Sequence, residues 1–216
     1  MTTVAPEKIE NKSWLNTTWE QYLALGNNPD FRKAKIYHYK GKTKIEMSPL
    51  GLEHSRDHSI IAYGIHLYSV IKNIKLNSQD NCTYQKKGYQ GAQPDLSYYI
   101  GDNASTIPYD TGIVDLNRYP APNLVVEIAN SSLADDLGMK RLLYENLGTQ
   151  EYWIVDVQSQ NIIAFAIADG GSKRIYKSQI LSDLDINILE TALQKTRTQT
   201  HTEVGVWLLK LFQSNC

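Results

Sequence analysis

The sequence predicts an α/β fold with a mixed central sheet flanked by helices. Residues 124–156 contain an apolar run, a helical pattern and a second apolar run, as expected of two buried strands joined by a helix. Residues 53–72 have the length and apolar spacing of a long helix. Shorter segments with strand character lie on both sides of these regions, which favours a sheet larger than one strand pair.

Length and composition are those of an ordinary globular protein. The 216 residues can bury a substantial core, and apolar residues make up 42% of them. We expect a single domain over residues 18–216 after a flexible N-terminus at residues 1–17. A net charge of -1 does not indicate a polyanion partner, although a local basic face can coexist with a neutral total.

Cysteine usage and hydropathy indicate a reducing compartment. Cys82 and Cys216 are the only cysteines, which excludes a disulfide framework and a zinc-cysteine cluster. Residues 1–13 lack the apolar core of a signal peptide, and no run is long enough to span a membrane. We therefore expect a cytoplasmic protein.

The remaining elements follow from turn signals and apolar patterns. A capped helix is predicted to follow residues 16–18, and a hairpin with a tight turn at Gly41-Lys42 should come next. Strands are predicted at 81–89, 93–100, 162–168 and 174–180, with a turn at Gly170-Gly171, and a weaker helix at 184–196. The long connection 101–123 suggests a flap beside a site. Exposure of the apolar segment 204–212 would indicate a subunit contact, so we expect a homodimer.

Glu127 interrupts the apolar strand 124–128. A carboxylate there is costly to desolvate unless a cation, a metal or hydrogen bonds compensate. With Ser132 as N-cap, a wheel at about 100° per residue places Lys140 inside an apolar stripe and Asp136 on its edge. A buried lysine needs a partner, and Glu127 is the nearest candidate along the chain. A structural ion pair and a functional site are both open interpretations at this point.

Two further positions carry charges near predicted element ends. Pro94 suits the first residue of a strand, so Asp95 would sit at or just inside the strand's beginning. His54 and His58 are four residues apart near the start of the long helix, a spacing that can bind zinc. No H-E-x-x-H motif or third ligand follows, so a capping or surface role is the main alternative.

The combination resembles the PD-(D/E)xK nuclease superfamily, which has a restriction-endonuclease-like core, and more narrowly the Uma-two family of nucleases. The superfamily's lysine position after Glu127 is occupied by Ala129, and the Uma-two resemblance implies a lysine displaced onto the following helix, here Lys140. The N-terminal helix and hairpin would be an addition to that core. The resemblance extends from about residue 18 to residue 168 and rests on Pro94-Asp95, Glu127-Ile128, Asp136-x-Gly138-x-Lys140, Tyr144 and residues 151–156.

The resemblance implies a metal-dependent endonuclease that hydrolyses DNA phosphodiester bonds. Asp95 and Glu127 would ligate Mg²⁺ or Mn²⁺, which prefer hard oxygen ligands, and the backbone carbonyl of Ile128 would be a third ligand. Lys140 would position or polarise the attacking water and stabilise developing negative charge. Two alternatives remain: a noncatalytic interaction or assembly module that retains a buried ion-pair network, and a hydrolase of a smaller phosphate ester.

Supporting roles are predicted for four residues near this constellation. Glu53 or His54 would approach the metal from the long helix. Asp136 would either orient Lys140 or cap the first turn of its helix. Tyr144 would either pack against Lys140 or hydrogen-bond a carboxylate.

A pair of lysines is a candidate for contacts with nucleic acid. Lys86 and Lys87 are adjacent near the end of the strand predicted at 81–89. They would contact phosphates of the substrate, although a solvated strand end is the commoner meaning of two neighbouring lysines.

Overall fold

Two six-stranded sheets and the helices that cover them form the described part of the chain, residues 13–47, 51–181 and 184–214 of a computed structural model. Short 3-10 turns lie at Pro29–Phe31 and Gly101–Ser105. The other elements, in chain order, are β1 (Leu15–Asn16), α1 (Trp19–Gly26), β2 (Lys35–Tyr39), β3 (Lys42–Glu46), α2 (Leu52–Ile71), β4 (Leu76–Asp80), β5 (Tyr84–Lys86), β6 (Gln90–Ala92), β7 (Leu96–Ile100), β8 (Val114–Asp115), β9 (Leu124–Ala129), α3 (Leu133–Asp135), a π-helical turn (Asp136–Lys140), α4 (Arg141–Leu147), β10 (Glu151–Asp156), β11 (Asn161–Ala168), β12 (Gly171–Ile175), α5 (Ile186–Lys195) and α6 (His201–Ser214).

The central sheet has the order β12-β11-β10-β9-β7-β4. Strands β9 and β10 are parallel and the other neighbours are antiparallel, which confirms the predicted mixed sheet. All six residues of β9 are buried because both faces of the strand are covered. Helices α2, α5 and α6 pack on one face, and α4 and the β2–β3 hairpin lie on the other.

The second sheet has the order β1-β3-β2-β6-β5-β8. The predicted N-terminal helix and hairpin are present, and Thr18 caps α1 with its side chain accepting from the Gln21 amide. The hairpin turn lies at Lys40-Gly41, one residue before the predicted position, and both residues have positive φ as a type I′ turn requires.

The segment predicted as one helix at 133–147 is divided into α3, the π-helical turn and α4. The division occurs at Gly138, whose backbone angles are not helical. Ser132 is at the N-cap position of α3, as predicted, but its side chain makes no capping bond to a backbone amide. The hydroxyl of Ser132 donates instead to Asp136 Oδ2 at 2.6 Å.

Two strand predictions need correction. Residues 81–89 do not form one strand, because they contain only β5, which pairs with β6 as a hairpin in the second sheet. In the central sheet, β7 lies between β9 and the edge strand β4. The polar sequence of this edge strand concealed it, because it lacks a buried alternating face. The later hairpin turns at Asp169-Gly170 rather than Gly170-Gly171, so β12 begins earlier than the predicted 174–180 strand.

The C-terminal apolar segment belongs to α6 and packs inward. Val204, Leu208 and Phe212 are buried, and the Phe212 ring meets Tyr68 of α2 edge-on at 4.9 Å between centroids. Val206 and Leu209 on the other side of α6 are 48% and 37% exposed, so the segment is exposed only in part, and the homodimer stays a prediction.

The predicted flexible terminus at 1–17 is described only in part. Leu15 and Asn16 pair with β3, whereas residues 1–12 and Cys216 lie outside the described residues. The division into this terminus and one domain over 18–216 therefore stays a prediction. Within the described ranges, no helix combines the length and apolarity needed to cross a bilayer.

Replacing Gly91 by Ala should loosen the packing of α1 on the second sheet. A Cβ atom at Gly91 would lie 2.0 Å from the hydroxyl oxygen of Tyr22 and 2.4 Å from its ring carbon Cζ, so the ring must shift. We expect a loss of about 1–3 kcal/mol in unfolding free energy by urea denaturation, as is usual for overpacking. Gly112→Ala is the control, because its Cβ would meet nothing within 4 Å, and equal stability of the two variants would contradict the packing argument.

Candidate active site

Glu127 lies where the two sheets and the π-helical turn meet. Along β9 the side chains alternate, so Leu124, Val126 and Ile128 face α2 while Glu127 faces the β2–β3 hairpin and α4. The carboxylate is 2% exposed. The period of the strand points this carboxylate toward the hairpin and α4, so the groups that offset the cost of burying it must lie on those elements.

Two tyrosines hold the Glu127 carboxylate. Tyr144 donates its hydroxyl to Oε1 at 2.7 Å, and the Tyr37 hydroxyl lies 3.1 Å from the same oxygen. The second predicted role of Tyr144, a hydrogen bond to a carboxylate, is therefore the one found. Burial raises the pKa of Glu127 to about 8, even though nearby Lys140 lowers it, and the charge of Asp95 adds to the increase.

Lys140 faces inward, as the helical wheel predicts, and is 1% exposed. Its closest carboxylates are Glu46 at 2.8 Å and Asp136 at 3.0 Å, whereas Glu127 Oε1 is 3.9 Å away. Glu127, the partner expected from the chain order, is therefore within ion-pair distance, but Glu46 and Asp136 lie closer to the ammonium. The ammonium also lies 4.3 Å from the centroid of the Tyr37 ring.

The surroundings of Lys140 keep it protonated. Burial alone lowers the pKa of an ammonium, but Asp136, Glu127 and Glu46 together raise the pKa of Lys140 well above its ordinary value. Lys140 is thus a fixed positive charge and donor, not a general base at neutral pH. Asp136 Oδ1 lies 3.0 Å from the ammonium, the contact that the first of its two predicted roles requires, and that role stays a prediction.

Asp95 precedes β7 and lies beside Glu127. Its Oδ2 accepts from the Ile128 amide at 2.8 Å, and its own amide points at Glu127 Oε2 at 3.4 Å. Lys35 pairs with Oδ1, and His54 Nε2 lies 3.3 Å from the same oxygen. Burial opposes ionisation, but the His54 hydrogen bond and the Lys35 charge hold the pKa of Asp95 well below its usual range.

The donor set fits a hard divalent cation. Asp95 and Glu127 supply carboxylate oxygens of the kind that Mg²⁺ and Mn²⁺ prefer, and the described residues contain no group of three or more His, Cys, Asp or Glu side chains placed to hold a metal ion, here or elsewhere. Leu96 pairs with Val126, so an extension of this register by two residues places Pro94 opposite Ile128. Proline has no N–H to donate, which leaves the Ile128 carbonyl, on the same edge of β9 as its amide, able to act as the third ligand.

The β2–β3 hairpin contributes residues to the site that were not predicted from the sequence. The register pairs Lys35 with Glu46 and Tyr37 with Lys44, so these four side chains share one face of the strand pair. Lys44 is buried and its ammonium lies 2.7 Å from Asp135 Oδ2. The sequence does contain a pattern that predicts this contribution, because charged residues at alternate positions of the hairpin place charge on one of its faces.

Several predicted site residues lie elsewhere. Glu53 is exposed at the start of α2 and lies outside this cluster. The next residue, His54, does reach the cluster through Asp95. His58 Nε2 lies 3.4 Å from both Asp80 Oδ1 and the Asp95 carbonyl oxygen, and its ring stacks on that of His54 with 6.4 Å between centroids. Lys87 pairs with Asp115 at 3.1 Å and Lys86 lies half-buried on β5. A role of these two lysines in nucleic-acid binding stays a prediction.

Comparisons with known proteins point to one family. The model of the Uma2 family, described as "Putative restriction endonuclease", matches residues 19–201. A solved structure described as a "putative nuclease belonging to DUF820" from Anabaena variabilis is similar in fold, with a TM-score of 0.56 and 19% sequence identity. The similarity covers 89% of this chain and 99% of that one. No functionally curated protein matches the chain.

Replacing Glu127 by Gln should flatten the pH dependence of stability. The pKa of Glu127 is raised from 4.5 to about 8, so the folded state favours the protonated carboxyl. Its contribution is full below the unfolded pKa and is lost as the pH rises through about 8, by up to about 1.4 kcal/mol per pH unit. Urea unfolding with a chelator present, at several pH values in this window, measures the slope for both proteins.

Glu203→Gln is the control for this measurement. The Thr200 amide lowers the pKa of Glu203, so its contribution is present above 4.5 and is lost only as the pH falls. The slope between 4.5 and about 8 should therefore match that of the unmodified protein. Parallel stability curves for Glu127→Gln and the unmodified protein would contradict the assignment of the raised pKa to Glu127.

Proposed function

This chain belongs to the Uma2 family, and on that premise we propose that it is an endonuclease that hydrolyses DNA phosphodiester bonds with bound Mg²⁺ or Mn²⁺. The observation that carries the proposal is the convergence of two buried carboxylates and a permanently charged lysine. The Asp95 amide lies 3.4 Å from Glu127 Oε2, and Lys140 Nζ lies 3.9 Å from Glu127 Oε1. Oxygen ligands beside a fixed cation suit phosphoryl chemistry, in which negative charge develops on the phosphate.

Asp95, Glu127 and the Ile128 carbonyl would hold the metal ion, which when bound supplies positive charge at the scissile phosphate and acidifies a coordinated water. Tyr144 donates to Glu127 Oε1 and favours one orientation of the carboxylate. The Tyr37 hydroxyl lies 3.1 Å from the same oxygen, although its closest acceptor is the Gln93 carbonyl at 2.9 Å. Lys140 would donate to a phosphate oxygen or to the attacking water. Its ion pairs with Glu46 and Asp136 fix the ammonium in advance, so little reorganisation is needed during the reaction.

A second candidate function is a noncatalytic interaction or assembly module. The observation that favours it is the internal compensation of charge: Lys35 pairs with Asp95, Lys44 with Asp135, and Lys140 with Glu46 and Asp136. Such a network can be purely structural, and replacing a buried ion pair by apolar groups is often neutral or stabilising. For such a module, calorimetry would detect neither Mg²⁺ nor Mn²⁺ binding, and Lys140→Met would retain or gain stability.

Nicking of supercoiled plasmid DNA in the presence of Mg²⁺ or Mn²⁺ should depend on the three central residues. Asp95→Asn, Glu127→Gln and Lys140→Met should each lower the nicking rate on the order of 10²- to 10³-fold, because each removes charge that the transition state requires. The measurement is the initial rate of conversion to open circles, and a parallel screen of nucleotides and simple phosphate esters tests the smaller-substrate alternative.

Glu151→Gln is the matched control for the nicking assay. Glu151 is a carboxylate on the neighbouring strand β10, 1% exposed, and is held by Trp153, Ser178 and the Gln179 amide outside the Glu127 cluster. This variant should keep its nicking rate while sharing the loss of a buried negative group. Undiminished nicking in all three site variants would disprove the proposed active site.

Binding of Mn²⁺ should strengthen as the pH rises toward about 8, where Glu127 loses its proton. Below that pH, each binding event should release a proton, since a carboxyl must be ionised before it can ligate a cation. Titration calorimetry in two buffers of different ionisation enthalpy counts the protons released. Glu127→Gln should bind weakly without this release, and an affinity independent of pH in the unmodified protein would refute the role of Glu127 as ligand.

A further inference from the structure

We propose that Lys35 occupies, on Asp95, the place that a divalent cation takes, and that cation binding releases its ammonium to contact the substrate phosphate. This inference rests on the proposed nuclease function and adds a catalytic residue to it. Lys35 is the first residue of β2, 60 positions before Asp95, and its ammonium pairs with Asp95 Oδ1. The pairing makes the metal-free site a closed ion pair instead of an open carboxylate.

The two oxygens of Asp95 have different partners. Oδ2 accepts from the Ile128 amide at 2.8 Å, a bond that anchors the carboxylate to β9. Oδ1 carries Lys35 and, at 3.3 Å, His54 Nε2. A cation that binds Asp95 through Oδ1, the oxygen that is not tied to β9, would compete with the ammonium of Lys35 for it.

Of the three lysines in the cluster, Lys35 has the least hindered way out. Its side chain is 14% exposed, whereas those of Lys44 and Lys140 are 3% and 1% exposed. Lys140 lies within 4 Å of three carboxylates, but Asp95 is the one carboxylate within ion-pair distance of Lys35 among the described residues. A compact charge on a flexible four-carbon stem can leave such a pair without moving the backbone.

Exchange of one cation for another avoids the large cost of an unpaired buried charge. Asp95 is 4% exposed, and an ionised carboxylate at that depth needs a positive partner at all times. Lys35 provides it in the metal-free protein, and a divalent ion would provide it afterwards. The released ammonium stays tethered to β2 beside the site, where a phosphate group is the natural acceptor of its hydrogen bonds.

Chemical labelling of the unmodified protein tests the exchange directly. Brief acetylation of amines followed by mass spectrometry, with and without Mn²⁺, measures the reactivity of each lysine. We expect the labelling of Lys35 to increase several-fold on addition of Mn²⁺ while Lys44 and Lys140 remain unreactive, because only a released ammonium is exposed to the reagent. Unchanged labelling of Lys35 under conditions where calorimetry shows Mn²⁺ bound would overturn the proposal.

Substitution provides the second test. Lys35→Met should bind Mn²⁺ on the order of tenfold more tightly by calorimetry, because the metal no longer competes with the ammonium. At saturating Mn²⁺ it should nick plasmid DNA more slowly, since a phosphate contact is lost. Lys44→Met is the matched control: it removes a lysine from the same hairpin face, paired with Asp135, and should leave the Mn²⁺ affinity unchanged.

The outcomes distinguish a failure of the Lys35 proposal from a failure of the proposed metal-dependent nuclease function. Mn²⁺ binding and plasmid nicking by the unmodified protein, with an affinity in Lys35→Met that is unchanged or weaker, would overturn the role of Lys35 alone. Absence of Mn²⁺ binding in both the unmodified protein and Lys35→Met would overturn the metal-dependent nuclease and this inference together. Tighter binding in Lys35→Met with an undiminished nicking rate would overturn the phosphate contact.

Discussion

A carboxylate buried in the middle of a sheet is the constraint on which the rest of this structure depends. Glu127 belongs to a strand covered on both faces, where a bare charge would cost several kcal/mol. Tyr144 and Tyr37 hydrogen-bond it, and Lys140 lies near it. Each of these partners is itself buried, so the compensation has to spread outward from one residue through the layers that cover it.

The need to compensate these buried charges explains the position of the β2–β3 hairpin. Lys140 needs more negative charge than a protonated Glu127 supplies, and Glu46 on β3 and Asp136 on the π-helical turn provide it. Asp136 in turn receives a hydrogen bond from Ser132. The inner face of β2 and β3 is therefore charged where an apolar face would be usual, and the second sheet cannot be separated from the site without leaving charges unpaired.

The sequence was sufficient for β9 because a run apolar on both faces predicts a strand that is covered on both sides. Helical spacing predicted an inward Lys140, and the side chain is buried even though the helix is interrupted at Gly138. The contribution of the hairpin was missed because the period of a strand shows which side chains share a face but not what that face packs against. A turn at Gly41-Lys42 would oppose Tyr37 to Glu46, whereas the turn at Lys40-Gly41 pairs Lys35 with Glu46 and keeps the same side chains on the inner face. Short polar strands such as β4 carry no apolar period, so the extent of both sheets had to come from the structure.

The π-helical turn sets limits on how the lengths of related chains can vary. One residue of α-helix turns the chain by about 100°, so a deletion between Asp136 and Lys140 would rotate the lysine away from the sheet. The connection from β7 to β9 has no such coupling, because its ends are held by strand pairing and its middle lies outside the cluster. Alignments of distant relatives should therefore allow gaps freely in the connection between β7 and β9, and almost none between Asp136 and Lys140. A sequence pattern that fixes the length of the β7–β9 connection would fail to match chains of this kind.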